Sequence, residues 1–262
     1  MINLKEIPCY CINLDNRPGR FNSFLRQPGT KDIPFTRFSA VDGNRIPILN
    51  NPQISNNTKS NITFNTRRSH GEINTPGAIG CSLSHYAIWK KFLENPKAPY
   101  CLVLEDDAGI PDDFFSSFSK ASEDLKEIED FDVWSIGHRL IDKNLTKISN
   151  SFSSPVYFWG TSCYIISRRG AQKLMEGFFP IECHLDKYFC LRNSLGHIKL
   201  ITHSTLKTYT ITLGSDIQIG SCDLCNLPDK FTREVITQDY ILYGIFSYSI
   251  ILTLLFAASR KE

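Results

Sequence analysis

The sequence predicts an α/β fold with a mainly parallel central sheet. Strand-like apolar runs alternate with helix-like segments from residue 7 to about residue 202, the order that builds βαβ units. The clearest of these runs, Tyr100 to Leu104, is uncharged and bounded by polar residues, as expected of a strand covered on both faces. Carboxylates, arginines and histidines fall just beyond several of the runs, where ligands bind in sheets of this class.

Residues 7–14 (IPCYCINL) read as the first strand, ending near Asn13. It is followed by a turn and the basic sequence Asp15-Asn-Arg-Pro-Gly-Arg20, a β-loop-α opening that sets Arg17 and Arg20 where a phosphate or a nucleobase edge can be met. Phe35 to Val41 is a second strand running into the turn Asp42-Gly43. Residues 50–77 are rich in Asn, Ser and Thr and read as a long polar surface loop, suited to a lid, an acceptor-binding segment or an unstructured insertion. Gly77-Ala-Ile-Gly80 leads into a helix over 82–94, stopped at Asn95-Pro96. Within it Cys81, His85, Ile88 and Phe92 share one face, which suits His85 to a packed, hydrogen-bonded core position as well as to a site.

The strand at 100–104 ends in Glu105-Asp106-Asp107. If extended geometry persists, Glu105 and Asp107 share one side and Asp106 faces the other. Two convergent hard oxygen donors suit Mg²⁺ or Mn²⁺, which can also bridge substrate phosphates; a solvated acidic turn has the same sequence signature. Asp112 to Ile128 is helix-like, 131–136 is a strand leading to Gly137-His138, 158–167 (FWGTSCYIIS) is another, and 168–175 begins a helix. Glu182, His184 and Asp186 then fall within a short stretch, and 198–202 is a last strand with His203 just beyond it. His138 and His203, near strand ends, are candidates to complete a metal shell or are simply polar surface residues.

Composition narrows the function classes. Lys and Arg number 29 against 27 Asp and Glu, a net charge of +2, so nothing suggests a nucleic-acid partner. The nine cysteines are odd in number and irregularly spaced, which is not a disulfide framework. Cys222-Asp-Leu-Cys225 is a lone C-x₂-C without the second ligand pair of a zinc knuckle. The N-terminus lacks the apolar core of a cleaved signal peptide, and a reducing cytoplasmic setting is expected. From Tyr240 to Ala258 the chain carries no charge, close to the length that spans a bilayer. The expectation is a domain over 1–239 held on the cytoplasmic side of a membrane by a hydrophobic segment at 240–262; a buried or interfacial hairpin is the alternative.

Five segments in this order resemble glycosyltransferase family 25, which includes lipooligosaccharide and collagen galactosyltransferases: Cys11-Ile-Asn-Leu-Asp15 with Arg17 and Arg20; Arg37-Phe-Ser-Ala-Val-Asp-Gly43; Gly80-Cys-Ser-Leu-Ser-His85; Leu104-Glu-Asp-Asp-Ala108; and Gly160-Thr-Ser-Cys-Tyr-Ile-Ile-Ser167. The resemblance covers residues 9 to about 190. It implies a GT-A-like nucleotide-sugar-binding fold and inverting transfer of a hexose from a UDP-sugar, most often UDP-galactose, to an oligosaccharide or other glycoconjugate acceptor. It further implies that Asp107 and Glu105 hold Mn²⁺, and that Asn13, Arg20, Asp42, Ser84, His85, Glu105 and Asp106 contact the nucleotide sugar. Asp186 is implied as the base, with Glu182 the alternative one helical turn away. Asn16 stands where the family commonly has a basic residue. A catalytically silent module of the same fold is the competing function, and the lack of a G-x₄-GK[ST] loop excludes a P-loop enzyme.

Overall fold

A computed structural model describes residues 1–140, 145–211 and 217. The chain forms two units, one of residues 1–66 and 71–219 and one of residues 67–70 and 220–262; of the second, only the turn at 67–70 is among the described residues. The first unit holds, in order, β1 (Cys9–Asn13), α1 (Pro18–Leu25), β2 (Thr36–Ser39), α2 (Asn56–Phe64), α3 (Pro76–Glu94), β3 (Tyr100–Glu105), β4 (Ala108–Gly109), α4 (Phe114–Glu123), β5 (Val133–Leu140), β6 (Thr146–Lys147), β7 (Phe152–Ser154), β8 (Phe158–Ser167), α5 (Arg168–Met175), α6 (Leu185–Ser194), β9 (Leu200–His203) and β10 (Tyr209–Thr210).

The eight-stranded sheet has the order β2-β1-β3-β8-β5-β9-β7-β6, and β4 pairs with β10 separately. β1 runs parallel to β2 and β3, and β5 parallel to β9. β8 is antiparallel to both β3 and β5, so its first residues arrive at the edge where β1, β2 and β3 end. The sheet separates two cores, and the period-two alternation of its strands divides their residues. Cys101 and Val103 of β3 join Tyr164 and Ile166 of β8 against Trp89 and Phe92 of α3. Leu102 and Leu104 face the other way with Cys163 and Ile165, against Phe24 of α1 and Phe114 and Phe118 of α4. Cys101 to Leu104 are all 0% exposed, which is why this strand reads as an unbroken apolar run.

The polar stretch 50–77 is not an unstructured loop. Ser55 caps α2 by accepting from Thr58 N at 3.2 Å, and the segment is strapped to residues 181–184. Ser55 N donates to Ile181 O at 3.1 Å, Ile181 N to Gln53 O at 2.8 Å and His184 N to Gly71 O at 3.0 Å. Backbone pairing and the burial of Ile54 and Ile73 supply what the weak helix formers of this stretch lack. The helix expected at 82–94 begins earlier, at Pro76, with Thr75 accepting from Ala78 N at 3.3 Å and proline at the first turn, where its missing N–H costs nothing.

The expected membrane-side location is corrected. Among the described residues no helix is long and apolar enough to cross a membrane, and residues 240–258, like Cys222 and Cys225, lie outside them.

Candidate active site

The site forms where β1, β2 and β3 end, because each strand stops there in a polar residue and α3 packs alongside. Gly80 and Gly43 make that packing possible. A Cβ on Gly80 would lie 2.4 Å from Val41 O and 2.6 Å from Gly43 N, and one on Gly43 would lie 1.8 Å from Pro76 O. Ser84 completes the seam: its Oγ accepts from Val41 N at 2.8 Å and donates to Gly80 O at 2.7 Å. A cleft of about 150 Å³ opens beside it, lined by Asn13, Arg20, Asp42, Ser84, His85, Glu105, Asp106 and Asp107 among others. A second hollow of about 320 Å³ adjoins it through Leu14, Asn16, Val41 and Asp42 and reaches Arg45.

The three acids do different jobs. Strand β3 stops at Glu105, so the alternation expected through Asp107 gives way to a turn. Asp106 turns inward: Oδ1 accepts from Arg20 Nε at 2.8 Å and from Arg20 Nη2, and Oδ2 accepts from Asn13 Nδ2 at 2.6 Å. These charge-assisted bonds satisfy a carboxylate that is 6% exposed and hold Arg20 over the cleft. Asn13 is equally engaged, donating also to Arg17 O at 3.0 Å and accepting from Arg37 Nε at 2.9 Å. Asp42 accepts from Asn44 N at 3.0 Å and lies 3.4 Å from Arg45 Nε.

Glu105 Oε1 accepts from Thr161 Oγ1 at 2.8 Å and lies 3.4 Å from His85 Nε2. Burial pushes its pKa up, but the His85 and Thr161 contacts and the Arg20 charge outweigh it, and the carboxyl sits below its ordinary range. His85 is 0% exposed. Its Nδ1 lies 2.8 Å from Tyr164 Oη, and that hydroxyl accepts from Trp89 Nε1 at 2.9 Å, so the ring is locked with Nε2 toward Glu105. Asp107 behaves in the opposite way. Its Oδ2 meets Arg20 Nη2 at 3.1 Å, while its buried Oδ1 has no hydrogen-bond partner among the described residues. Burial first, then the charge of Glu105, push Asp107 up to about 7 despite Arg20.

Asp186 opens α6 and does not line the cleft. Its Oδ2 accepts from Gly160 N at 2.8 Å and its Oδ1 from Lys187 N at 2.7 Å. Gly160 and Thr161 are consecutive on β8, so one strand end ties Asp186 and Glu105 to the same edge. Glu182 is exposed, and among the described residues its backbone carbonyl accepts from Thr58 Oγ1 at 3.2 Å. His138 and His203 stand apart. Burial, then Lys207, push His138 down to about 4, and its Nδ1 meets Ser135 Oγ at 3.1 Å. His203 is 4% exposed; its Nδ1 accepts from Leu206 N at 3.1 Å and its Nε2 lies 3.1 Å from Asp124 Oδ2. Neither lines the cleft. Thr161, Tyr164 and Arg37 were missed as site residues, although all three sit within the quoted motifs; only the antiparallel placement of β8 shows what the first two touch.

The model of "Glycosyltransferase family 25 (LPS biosynthesis protein)" matches residues 6–189. A "Glycosyltransferase 25 family member" of Aedes aegypti is 29% identical over 170 residues, 64% of this chain and 27% of the relative. "Procollagen galactosyltransferase 2" of Homo sapiens is 29% identical over 173 residues, 63% of this chain and 27% of the relative. The chain thus matches little more than a quarter of the length of these relatives. Among solved structures, S. aureus TarS 1-349 in complex with UDP-GlcNAc aligns with a TM-score of 0.43 at 9% identity, over 85% of this chain and 62% of that one, a likeness too loose to transfer any residue's role.

Proposed function

The chain belongs to glycosyltransferase family 25, and from that premise we propose that it is an inverting, metal-dependent enzyme moving a hexose from a UDP-sugar onto a saccharide acceptor. Galactose is the proposed hexose, because the relatives include procollagen galactosyltransferases; a lipooligosaccharide or other glycoconjugate is the proposed acceptor. The observation that carries the reading is the Asp107 carboxylate. A buried oxygen without a partner, on an acid pushed up to about 7, is costly to ionise unless a cation relieves it. The all-oxygen pair of Asp107 with Glu105 fits Mn²⁺ or Mg²⁺, which when bound neutralises charge developing on the UDP leaving group.

The chain's own residues supply the rest. Arg20, fixed by Asp106, offers positive charge to the diphosphate at the cleft wall. Asp42 and Arg45 border the adjoining hollow, which suits the nucleoside. Asp186 is the proposed base: each of its oxygens accepts one backbone N–H and keeps a lone pair for the acceptor hydroxyl proton as that oxygen attacks the anomeric carbon opposite UDP. Its tie to Gly160, next to Thr161, supports this choice over the exposed Glu182. The test is UDP release from UDP-galactose, UDP-glucose and UDP-N-acetylglucosamine with and without Mn²⁺, alone and with oligosaccharide acceptors. Metal-dependent, acceptor-stimulated release is expected. Release indifferent to metal, or none with any donor, sinks the proposal and leaves a binding module of the same fold.

A further inference from the structure

We propose that Cys81, His85 and Glu105 form a second cation site, one that takes a borderline-soft divalent ion, Zn²⁺ above all, rather than Mn²⁺ or Mg²⁺. One ligand atom from each residue, a sulfur, an imidazole nitrogen and a carboxylate oxygen, lies within 4.8 Å of the others. Tetrahedral Zn²⁺ with bonds of about 2.0–2.3 Å sets its ligands about 3.3–3.8 Å apart, and His85 Nε2 already lies 3.4 Å from Glu105 Oε1. Closing the set requires only a modest approach of the side chains.

The orientation of His85 also suits ligation. His85 is 0% exposed, and its Nε2 points at Glu105 Oε1 at 3.4 Å without a well-formed hydrogen bond among the described residues. The opposite ring nitrogen is anchored on Tyr164 Oη, which is held in turn by Trp89. That arrangement of an outer hydrogen bond orienting a ligating imidazole is how metal-binding histidines are normally held. Glu105 is steadied in the same way by Thr161. All three residues line the cleft, so the fourth position faces it and is open to water or an anionic oxygen, the pattern of an open rather than a purely structural zinc site. A thiol and an imidazole beside one carboxylate select Zn²⁺ or Co²⁺ over the hard cations.

The protons balance simply. Binding expels the Cys81 thiol proton to solvent, and in the metal-bound form the neutral imidazole holds its one proton on Nδ1, facing Tyr164 Oη, so that the Nε2 lone pair is available to the ion. Glu105 is common to this site and to the Mn²⁺ site of the proposed reaction, so the two ions compete. That consequence rests on the transferase reading, whereas the binding itself does not.

Co²⁺ serves as the spectroscopic probe, titrated into the full chain carrying Cys222→Ser and Cys225→Ser, which removes the one C-x₂-C pair. The expected result is a thiolate-to-cobalt charge-transfer band that saturates at one equivalent and is erased by Zn²⁺. Cys81→Ser should abolish the band, His85→Gln should weaken Co²⁺ binding at least about ten-fold, and Asp107→Asn should leave the band in place. A variant that fails to fold is replaced by a measurement on the unaltered chain: N-ethylmaleimide modification of Cys81, mapped by mass spectrometry, should slow about ten-fold or more with Zn²⁺ and not with Mg²⁺. Absence of the band, its persistence in Cys81→Ser, its loss in folded Asp107→Asn, or equal alkylation with and without Zn²⁺ overturns the site.

Discussion

Gly80→Ala probes the seam that shapes the cleft. The added Cβ would sit 2.4 Å from Val41 O and 2.6 Å from Gly43 N, both backbone atoms, whereas side-chain carbons essentially never come within 3.0 Å of such neighbours. Helix α3 and the 41–43 turn must therefore part by at least about 0.6 Å. Overpacking of this kind costs about 1–3 kcal/mol, and stretching the 2.8 Å bond from Val41 N to Ser84 Oγ adds about 1 kcal/mol for a weakened buried hydrogen bond. Against this, alanine gains up to about 1 kcal/mol over glycine inside a helix. The net expectation is a loss of about 1–3 kcal/mol, together with weaker UDP-sugar binding, because Asp42 and Ser84 line the cleft on either side of the seam. Urea unfolding of the two proteins, with calorimetric titration of UDP, measures both. A variant as stable as the parent, with unchanged UDP affinity, would refute the reasoning, since helix propensity would then be the only term acting.

Three further outcomes follow from the site. Asp107 is raised to about 7 in the folded chain, so between its ordinary range and that value the folded state binds more protons than the unfolded one. The metal-free protein should thus lose stability as pH rises through that window, and Asp107→Asn should restore on the order of 2–4 kcal/mol at pH 8 while abolishing metal-dependent turnover; thermal melts without metal at several pH values check the sign. Tyr164→Phe strips the oxygen that serves both Trp89 Nε1 and His85 Nδ1 and should cost about 2–4 kcal/mol in urea unfolding for two buried groups left unpaired. If Asp186 is the base, Asp186→Asn should lower kcat about 10²–10⁴-fold with donor binding little changed, and Glu182→Gln should stay within about three-fold; steady-state kinetics giving the reverse order would move the role to Glu182.

Much of the sheet was legible because its strands carry their own signature. Tyr100 to Leu104 is buried on both faces and hence apolar throughout, and the residues that end β1, β2 and β3 change abruptly to polar ones because the cleft begins there. Helix α2 was not legible. Asn, Ser and Thr give it little propensity or amphipathicity, and its stability comes from backbone pairing with residues far along the chain. The hairpin of β6 and β7 is short and polar, so it leaves no periodic signal. The acids could be found as a cluster but not sorted. Asp106 became an anchor because Arg20 and Asn13 reach it, and Asp107 a strained carboxylate because its Oδ1 finds no hydrogen-bond partner among the described residues.

The sequence by itself determined the family, the α/β class and the presence of an acidic strand end, since all three are written in short-range order: periodicity, turn residues and motifs of a few positions. Only the tertiary structure decided what the acids do and what stands beside them. Thr161 reaches Glu105 because β8 enters the sheet antiparallel to β3, and Cys81, His85 and Glu105 converge because α3 crosses at a place two glycines keep open. Strand direction and helix approach are settled by the burial of both faces of the sheet at once, a sum over contacts distant in the chain. No local stretch carries that sum, which is why the Glu105-Asp106-Asp107 triplet could be recognised from its neighbours in sequence and understood only from its neighbours in space.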